Sequence, residues 1–377
     1  MKIAAVRAHV LRDPRAGDHR FEGSYQNVLV EVESDTGLVG IGESDAPPAL
    51  VKAAIEMPDY NHLSRGLAGV LIGQTLDDPS RLWDDMFEAT QWHGRHGTVI
   101  HAMSALDIAL WDLFAQGLGA PVWACLGEKH HDRLPAYATI YPLAETQEGI
   151  EIQTKAFLSQ GFRRLKICVA PWWNNRDLLE RNLRFLRAVI GPEISLMLDV
   201  ALEWTTLDQL CPILPLLEEL DFKWIEAPFP LNDLNSHVSL RQLTRIPVGI
   251  GDLGLTTCRE FERYLAADAF DIAQPDLTMF GGLTEARRLG QMLEAKGARI
   301  VPHGYNTSIT VATNLQFLAT RREASLVEYS TSSSVLRQKL ATGLTPLDKD
   351  GMMEVPTGAG LGVSIDPTVF QRVRQDI

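Results

Sequence analysis

Six polar residues recur at nearly equal intervals along the chain, and their side chains are suited to acid–base and metal chemistry. Successive members are 24 to 27 residues apart, a spacing typical of one strand followed by one helix. Five of them carry a carboxylate and one carries an imidazole, a set that can bind a divalent cation and transfer a proton. In chain order they are Asp199, Glu226, Asp252, Asp276, His303 and Glu328.

Each of the six residues ends a short apolar run that has the composition of a buried strand. Helix-length segments separate the runs, and one begins with Thr257 and Glu260 at capping-box spacing. Continuous apolar strands that alternate with helices are typical of a parallel sheet covered on both faces. Eight such units predict an α/β fold, specifically a (β/α)₈-type barrel. The runs cover residues 134–141, 164–169, 195–199, 222–226, 247–252, 271–276, 298–303 and 325–328.

The predicted barrel brings the six side chains to one end, because the C-terminal ends of its strands meet at the same rim. A single polar residue at a strand end is commonly only a loop cap. Six polar residues that all fall at strand ends need another explanation, because crowded carboxylates repel one another unless a cation lies between them. Asp199, Glu226 and Asp252 end three consecutive strands and are predicted to bind the metal. Their oxygen ligands favour Mg²⁺, with Mn²⁺ second, over zinc.

Further residues are predicted to complete the site. Lys166 interrupts an apolar strand and is expected to face the carboxylates, with a structural ion pair as the alternative. Cys168 shares its face, as a small core residue or a reactive thiolate. Asp276 and His303 end adjacent strands, so the carboxylate can orient the imidazole as a general acid or base. Glu328 can donate a hydrogen bond if its neighbours raise its pKa.

Composition narrows the class of protein. The chain has 377 residues and a formal net charge of −13, which disfavours nucleic-acid binding and docking on anionic membranes. Its four cysteines form no CxxC pair, a usage typical of a reducing compartment. Arg7 and Arg12 interrupt the only region that resembles a secretory signal core. We therefore expect a cytoplasmic protein with no membrane segment, acting on a small molecule.

The N-terminal third has a different pattern from the barrel. Residues 26–44 alternate between apolar and polar types around a turn at 35–37, which predicts a hairpin. From about residue 47 the spacing becomes helical, and apolar residues recur every three or four positions between 99 and 114. This region is predicted to be a separate α+β unit.

The ordered motifs resemble the enolase superfamily, and within it the mandelate racemase subgroup. The resemblance implies an N-terminal α+β capping domain at 1–130, a (β/α)₇β barrel at 131–330, and a C-terminal segment at 331–377 that packs back on the capping domain. It also implies a homo-oligomer. The motifs are 105–112, 119–121, 126–127, 161–162 leading to Lys166, Asp199 with Trp204, 226–228, 274–276, 281–282, 303–304 and Glu328.

The resemblance also implies roles for the residues at these positions. The three strand-end acids would be the metal ligands, His303 and Asp276 the acid/base dyad, and Glu328 a hydrogen-bonding acid. Lys166 matches the first lysine of a Lys-x-Lys motif, which neutralises the charge of the substrate carboxylate and enolate. Cys168 stands where the second lysine, a base on the opposite face, is usual.

With His303 as the single strong base, we expect an acid-sugar dehydratase. The predicted substrate is a sugar acid, from which the enzyme removes the proton next to the carboxylate and eliminates the β-hydroxyl to give a 2-keto-3-deoxy acid. Capping loops at 18–25 and 46–60 are expected to close the site. The alternatives are a racemase or epimerase with Cys168 as second base, a non-catalytic metal-binding relative, and an unrelated aldolase that uses Lys166 as a Schiff base.

Overall fold

A computed structural model describes residues 1–17, 25–201, 203–252, 254–323 and 325–375 of the chain. The N-terminal region contains three antiparallel strands, β1 (Ile3–Arg12), β2 (Gln26–Ser34) and β3 (Val39–Ser44). The predicted hairpin joins β2 to β3, and Gly37 turns the chain with a φ of 83°, a conformation that costs glycine little. Val28, Val30 and Val32 of β2 are buried in one apolar cluster with the helices of this region, and Asn27 and Leu29 on the other face are buried as well.

Helices cover one face of the three strands. The longest helix packs against β3, where glycines at 40 and 42 are required because a Cβ at either would lie about 2 Å from a helix carbonyl oxygen. By length and composition this helix could cross a membrane, but 83% of its apolar window is buried inside the protein, so it forms the core of this region. The helices are α1 (Pro48–Glu56), α2 (Leu67–Leu71), α3 (Pro79–Ala89), α4 (Thr98–Gly117) and α5 (Val122–Leu126).

The predicted barrel is confirmed by a curved sheet of parallel strands, eight in the part of the chain that the structure describes. The sheet order is β10-β9-β8-β7-β6-β5-β4-β11, so the last of these strands pairs with the first. The strands are β4 (Arg133–Ile140), β5 (Arg164–Cys168), β6 (Ser195–Asp199), β7 (Phe222–Glu226), β8 (Val248–Ile250), β9 (Ile272–Ala273), β10 (Arg299–Ile300) and β11 (Val327–Ser330).

Helices connect these strands and bury their apolar faces against the outside of the sheet. Short 3₁₀ turns at Pro171–Asn174 and Cys211–Ile213 interrupt two of the connections. The helices are α6 (Gln147–Ser159), α7 (Arg176–Ile190), α8 (Leu207–Leu210), α9 (Leu214–Glu219), α10 (Leu234–Leu243), α11 (Cys258–Ala266), α12 (Gly282–Glu294) and α13 (Ser308–Leu318).

The C-terminal segment returns to the N-terminal strands. It contains α14 (Val335–Lys339), β12 (Ala341–Thr342), β13 (Met352–Glu354), β14 (Ser364–Ile365), α15 (Pro367–Val373) and β15 (Arg374–Gln375). β13 pairs antiparallel with β4, and β15 pairs antiparallel with β1. The end of the chain therefore extends the N-terminal sheet by one strand.

A separate apolar cluster fills the inside of the barrel. It consists of Tyr137, Met197, Trp224 and Ile272 from four strands and of Val301, which directly follows β10. All five are at most 4% exposed. We call this cluster the barrel plug, because it separates the rim that carries the six polar residues from the opposite end of the barrel.

Candidate active site

The three acids predicted to bind a metal lie together at the C-terminal rim. Ligand oxygens of Asp199, Glu226 and Asp252 are all within 4.8 Å of one another. The register pairs Asp199 directly with Glu226 across two neighbouring strands, whereas Asp252 follows the end of the next strand by two residues. Each is at most 7% exposed.

Left-handed backbone follows or precedes each of these acids. Ala201 and Ala227 have φ angles of 48° and 44°, and Gly251 has a φ of 125°. This conformation costs a residue with a Cβ about 1 kcal/mol or more. Such strain is common at functional sites, where it turns the chain sharply at the end of a strand and fixes the direction of the neighbouring side chain.

The electrostatics of the three acids favour a bound cation. Burial, together with the charge of neighbouring Asp199, raises the pKa of Glu226 to about 8 and that of Asp252 to about 6. One oxygen of Asp199 and one of Asp252, both Oδ1, are buried and have no hydrogen-bond partner among the described residues. A hard divalent cation would satisfy both oxygens and offset the repulsion, so these residues fit Mg²⁺ or Mn²⁺.

Lys166 lies at the centre of the carboxylates and is fully buried. Its Nζ is 2.5 Å from Glu226 Oε1, 2.9 Å from Glu328 Oε1 and 3.4 Å from Asp199 Oδ2. Burial disfavours its charged form, but the carboxylates of Glu226 and Glu328 outweigh burial and raise the pKa of Lys166 well above its ordinary value. Lys166 is therefore a fixed positive charge inside the site.

Glu328 is an ionised acceptor in this arrangement, which differs from the expected protonated donor. Besides the contact with Lys166, it accepts hydrogen bonds from the hydroxyl of Thr139 and from the backbone N–H of Gly304, the latter at 2.8 Å. Burial acts to raise its pKa, but Lys166 and His303 lower the pKa to about 2. The sequence pattern could not show that this acid lies between two cations.

His303 and Asp276 form the predicted pair. His303 Nδ1 lies 2.7 Å from Asp276 Oδ2, and the other oxygen of Asp276 accepts hydrogen bonds from the backbone N–H and hydroxyl of Thr278. The imidazole is therefore held from one side, while its Nε2 lies 3.9 Å from Glu328 Oε2. Burial opposes protonation of His303, but Glu328 and Asp276 outweigh it and raise its pKa well above the ordinary value.

Cys168 also belongs to the rim, although its environment differs from that of a reactive thiolate. It is 4% exposed, and its Sγ lies 3.5 Å from Asp199 Oδ2. Burial, followed by the charge of Asp199, raises the pKa of the thiol well above its ordinary value. In this arrangement Cys168 is a neutral donor to a carboxylate.

Two side chains that orient Glu226 were not predicted. Gln274 Nε2 and Trp224 Nε1 donate to Glu226 Oε2 at 2.5 Å and 3.0 Å. Gly249 allows this contact, because a Cβ there would lie 1.7 Å from Gln274 Oε1. The sequence signal that could have revealed this contact is Gln274 itself, a polar residue in the predicted apolar run 271–276, two positions before Asp276.

The N-terminal region contributes a further acid that was not predicted. Asp45 directly follows β3, and its backbone N–H lies 3.3 Å from the hydroxyl of Thr278, the residue that binds Asp276. Its Oδ1 is buried without a hydrogen-bond partner among the described residues. Burial, followed by the charge of Asp276, raises its pKa well above the ordinary value. Of the two predicted capping loops, 46–60 begins one residue later, and 18–25 lies outside the described residues except for Tyr25.

Comparison with known proteins agrees with this geometry. Residues 150–369 match the family model "Enolase C-terminal domain-like", and residues 14–127 match "Mandelate racemase / muconate lactonizing enzyme, N-terminal domain". The chain is 28% identical to D-galactarolactone cycloisomerase of Agrobacterium fabrum over 99% of both chains. It is 30% identical to L-rhamnonate dehydratase of Saccharopolyspora erythraea, over 92% of this chain and 84% of that one.

A solved structure gives the same result for the fold. The crystal structure of 3,6-anhydro-D-galactonate cycloisomerase from Zobellia galactanivorans superposes with a TM-score of 0.89, at 26% identity and over the full length of both chains. The predicted family and fold are thereby confirmed. The chain belongs to the enolase superfamily, in the family of mandelate racemase and muconate lactonizing enzyme.

Proposed function

We propose that this enzyme removes the proton next to the carboxylate of a sugar acid and eliminates the β-hydroxyl, giving a 2-keto-3-deoxy acid. The observation that carries the proposal is the asymmetry of the site. The imidazole of His303 is oriented by Asp276 through Nδ1, and its Nε2 lies near the carboxylates. The buried thiol of Cys168 stands at the position of a second base. Elimination needs one group for both proton transfers, and racemisation needs one group on each face.

In the proposed reaction His303 is the general base. It must be neutral to accept a proton, and a divalent cation at the three acids would favour the neutral form by repelling the imidazolium, against the carboxylates that raise its pKa. Asp276 accepts the hydrogen bond from Nδ1 and so leaves Nε2 to take the proton from the substrate carbon. Asp276 also stabilises the imidazolium that forms. The substrate carbon would then carry the electron pair as an enediolate.

The enediolate needs positive charge that is already in place before the proton leaves. Lys166 provides it, because three carboxylates keep this amine ionised and fixed in position. A divalent cation held by Asp199, Glu226 and Asp252 would supply Lewis-acid stabilisation at the carboxylate of the substrate. Glu328 fixes Lys166 from the side that faces His303.

The same imidazole completes the elimination. The imidazolium of His303 protonates the departing β-hydroxyl, water leaves, and the electron pair of the enediolate forms the new carbon–carbon double bond. The enol product then tautomerises to the 2-keto acid. The proton taken in the first step is returned in the second, so no other acid is required.

A screen of sugar acids in the presence of Mg²⁺ tests this proposal. We expect one or a few aldonates to yield a keto acid, with the product lighter than the substrate by one water. The His303→Asn variant should lose about 10²- to 10⁴-fold in turnover, while His130→Asn, which changes an exposed histidine, should retain wild-type turnover. Full activity in His303→Asn would overturn the mechanism.

A ring-opening isomerisation is the second candidate. Two of the relatives are cycloisomerases that match almost the whole chain. If the β-oxygen of the substrate belongs to a ring, the same steps open the ring and release no water. A keto product with the mass of its substrate would assign this reaction. Exchange of the C2 proton in D₂O, compared between the wild type and the Cys168→Ala variant, separates both candidates from a racemase. Loss of C2 exchange in that variant, with no keto product from the wild type, would instead support the racemase.

A further inference from the structure

A cavity lies at the end of the barrel opposite the candidate active site. Its volume is about 540 Å³, within the range of small-molecule sites in proteins. The first residues of four barrel strands line it, namely Arg164, Ser195, Phe222 and Arg299. Met197 and Trp224, two members of the barrel plug, form its floor. The plug thus separates this cavity from the acids of the catalytic rim.

Basic side chains outnumber acidic ones around the cavity. Arg164, Lys223, Arg245 and Arg299 line it, against two acids, Glu218 and Asp221. This excess is unusual in a chain whose formal net charge is −13.

Both acids already have partners among residues that line or border the cavity. Asp221 lies 2.6 Å from the Nζ of Lys223. Glu218 Oε1 accepts hydrogen bonds from the hydroxyl of Thr244 and from the backbone N–H of Arg245, at 2.6 Å and 3.1 Å. Neither acid lies within ion-pair distance of a guanidinium group in the cavity.

The three arginines of the cavity therefore have no carboxylate within 4.0 Å among the residues that the structure describes; they are Arg164, Arg245 and Arg299. Arg184 and Arg241, elsewhere in the protein, do form ion pairs. Arg164 is half-buried, and its Nη1 is buried with no hydrogen-bond partner in the described part of the chain. A buried donor without an acceptor is costly. Arg245 and Arg299 are exposed at the mouth of the same cavity.

We propose that this cavity binds a small oxyanion that carries two or more negative charges, such as a phosphate group or a dicarboxylate. A guanidinium group donates in a planar fork that matches both anions. The anion would accept the unused hydrogen bond of Arg164 and be held at the mouth by Arg299 and Arg245. This site is separate from the catalytic rim and does not depend on the proposed reaction.

Calorimetric titration of the full-length, Mg²⁺-loaded protein with inorganic phosphate, and separately with succinate, tests the proposal. At low ionic strength we expect saturable binding of at least one of the two, weakening as salt is added. Binding of phosphate alone assigns the site to phosphoryl groups, and binding of both assigns it to dianions generally. Arg164→Met and Arg299→Met should each weaken binding about tenfold. Because Arg299 is exposed, its variant tests the site even if Arg164→Met fails to fold.

Two controls locate the bound anion. Arg372→Met removes the charge of an exposed arginine outside the cavity and should leave the affinity unchanged. Asp252→Asn disrupts the candidate metal site at the other end of the barrel and should also leave it unchanged. No binding of either anion would overturn the proposal. So would binding that is lost in Asp252→Asn, or binding unaffected by both Arg164→Met and Arg299→Met.

Discussion

Buried carboxylates occur in two regions of this protein, and their partners differ. At the contacts of the N-terminal region with the barrel and with the C-terminal segment, three buried acids are surrounded by neutral donors. Asp107 accepts from the N–H and hydroxyl of Thr284 at 2.9 Å and 2.6 Å. Asp112 accepts from the backbone N–H groups of Ile41 and Leu361, both at 2.8 Å. Glu43 likewise accepts from the hydroxyls of two threonines on the barrel side.

At the catalytic rim, the acids instead face one another. Asp199 and Asp252 each have a buried oxygen with no donor among the described residues, and Lys166 is the cation that Asp199, Glu226 and Glu328 share. The comparison teaches that burial alone does not mark a functional carboxylate. An acid supplied with neutral donors connects parts of the fold, whereas a group of acids short of donors is built to hold a cation.

The largest expected effect comes from Asp252→Asn, which keeps the shape of the side chain and removes its charge. We expect turnover to fall about a thousandfold, or about 4 kcal/mol in the activation barrier. Without Mg²⁺ the melting temperature should equal or exceed that of the wild type, because a repelled charge is removed. Steady-state kinetics and thermal melts measure the two effects, with the exposed Asp208→Asn as control. A large loss of stability would instead show that Asp252 resembles Asp107, Asp112 and Glu43, which we call the connecting acids because they join parts of the fold.

Asp112→Ala should have the opposite effects from Asp252→Asn: a loss of stability with little change in turnover. It leaves the buried N–H groups of Ile41 and Leu361 without an acceptor, at about 1–3 kcal/mol each. We expect the free energy of unfolding to fall by about 3 kcal/mol, measured by denaturant titration, while turnover of the folded enzyme stays within a few-fold of wild type. The exposed Asp208→Ala serves as control, and an unchanged stability would contradict the connecting role.

Added Mg²⁺ should stabilise the rim and leave the connecting acids unaffected. At a concentration one hundred times its dissociation constant, a ligand that binds only the folded state contributes about 2.7 kcal/mol. We expect a higher melting temperature in the wild type and in Asp112→Ala, and none of this increase in Asp252→Asn. An equal increase in all three proteins would show that the cation binds elsewhere.

The smallest effect, counted over a single pH unit, concerns pH. Burial raises the pKa of Asp107 from 3.8 to about 7, so between these values the folded state binds more protons than the unfolded chain. Stability contributed by this group is therefore present at low pH and lost as pH rises from about 4 to 7, by at most about 1.4 kcal/mol per pH unit. Denaturation at several pH values between about 4 and 7 should give a slope of unfolding free energy against pH that is more positive for Asp107→Asn than for wild type or Asp208→Asn. Parallel slopes would contradict the raised pKa.

The spacing of polar residues along the chain was enough to predict the barrel and the group of acids. Parallel strands of a barrel begin and end together, so a repeat of 24 to 27 residues places Asp199, Glu226 and Asp252 at one rim. The hairpin at 35–37 and the long helix of the N-terminal region followed from local periodicity in the same way. These features depend on short-range order, which the sequence encodes directly.

Partners across the barrel could not be predicted. The charge state of Glu328 depends on Lys166 and His303, which come from two other strands. Asp45 reaches the dyad from the N-terminal region, and Gln274 reaches Glu226 across Gly249. No spacing along the chain records such contacts, because they depend on how the elements pack.

The sequence by itself therefore determined which residues reach the rim, and it predicted a metal-assisted proton transfer for them. Tertiary structure alone decided in which direction the pKa of each buried acid shifts and which acids connect the N-terminal region to the rest of the chain. It also decided where three arginines lack a carboxylate partner among the described residues. The physical reason is that protonation and hydrogen bonding depend on distance and burial in space, whereas strand order and phase follow from periodicity along the chain.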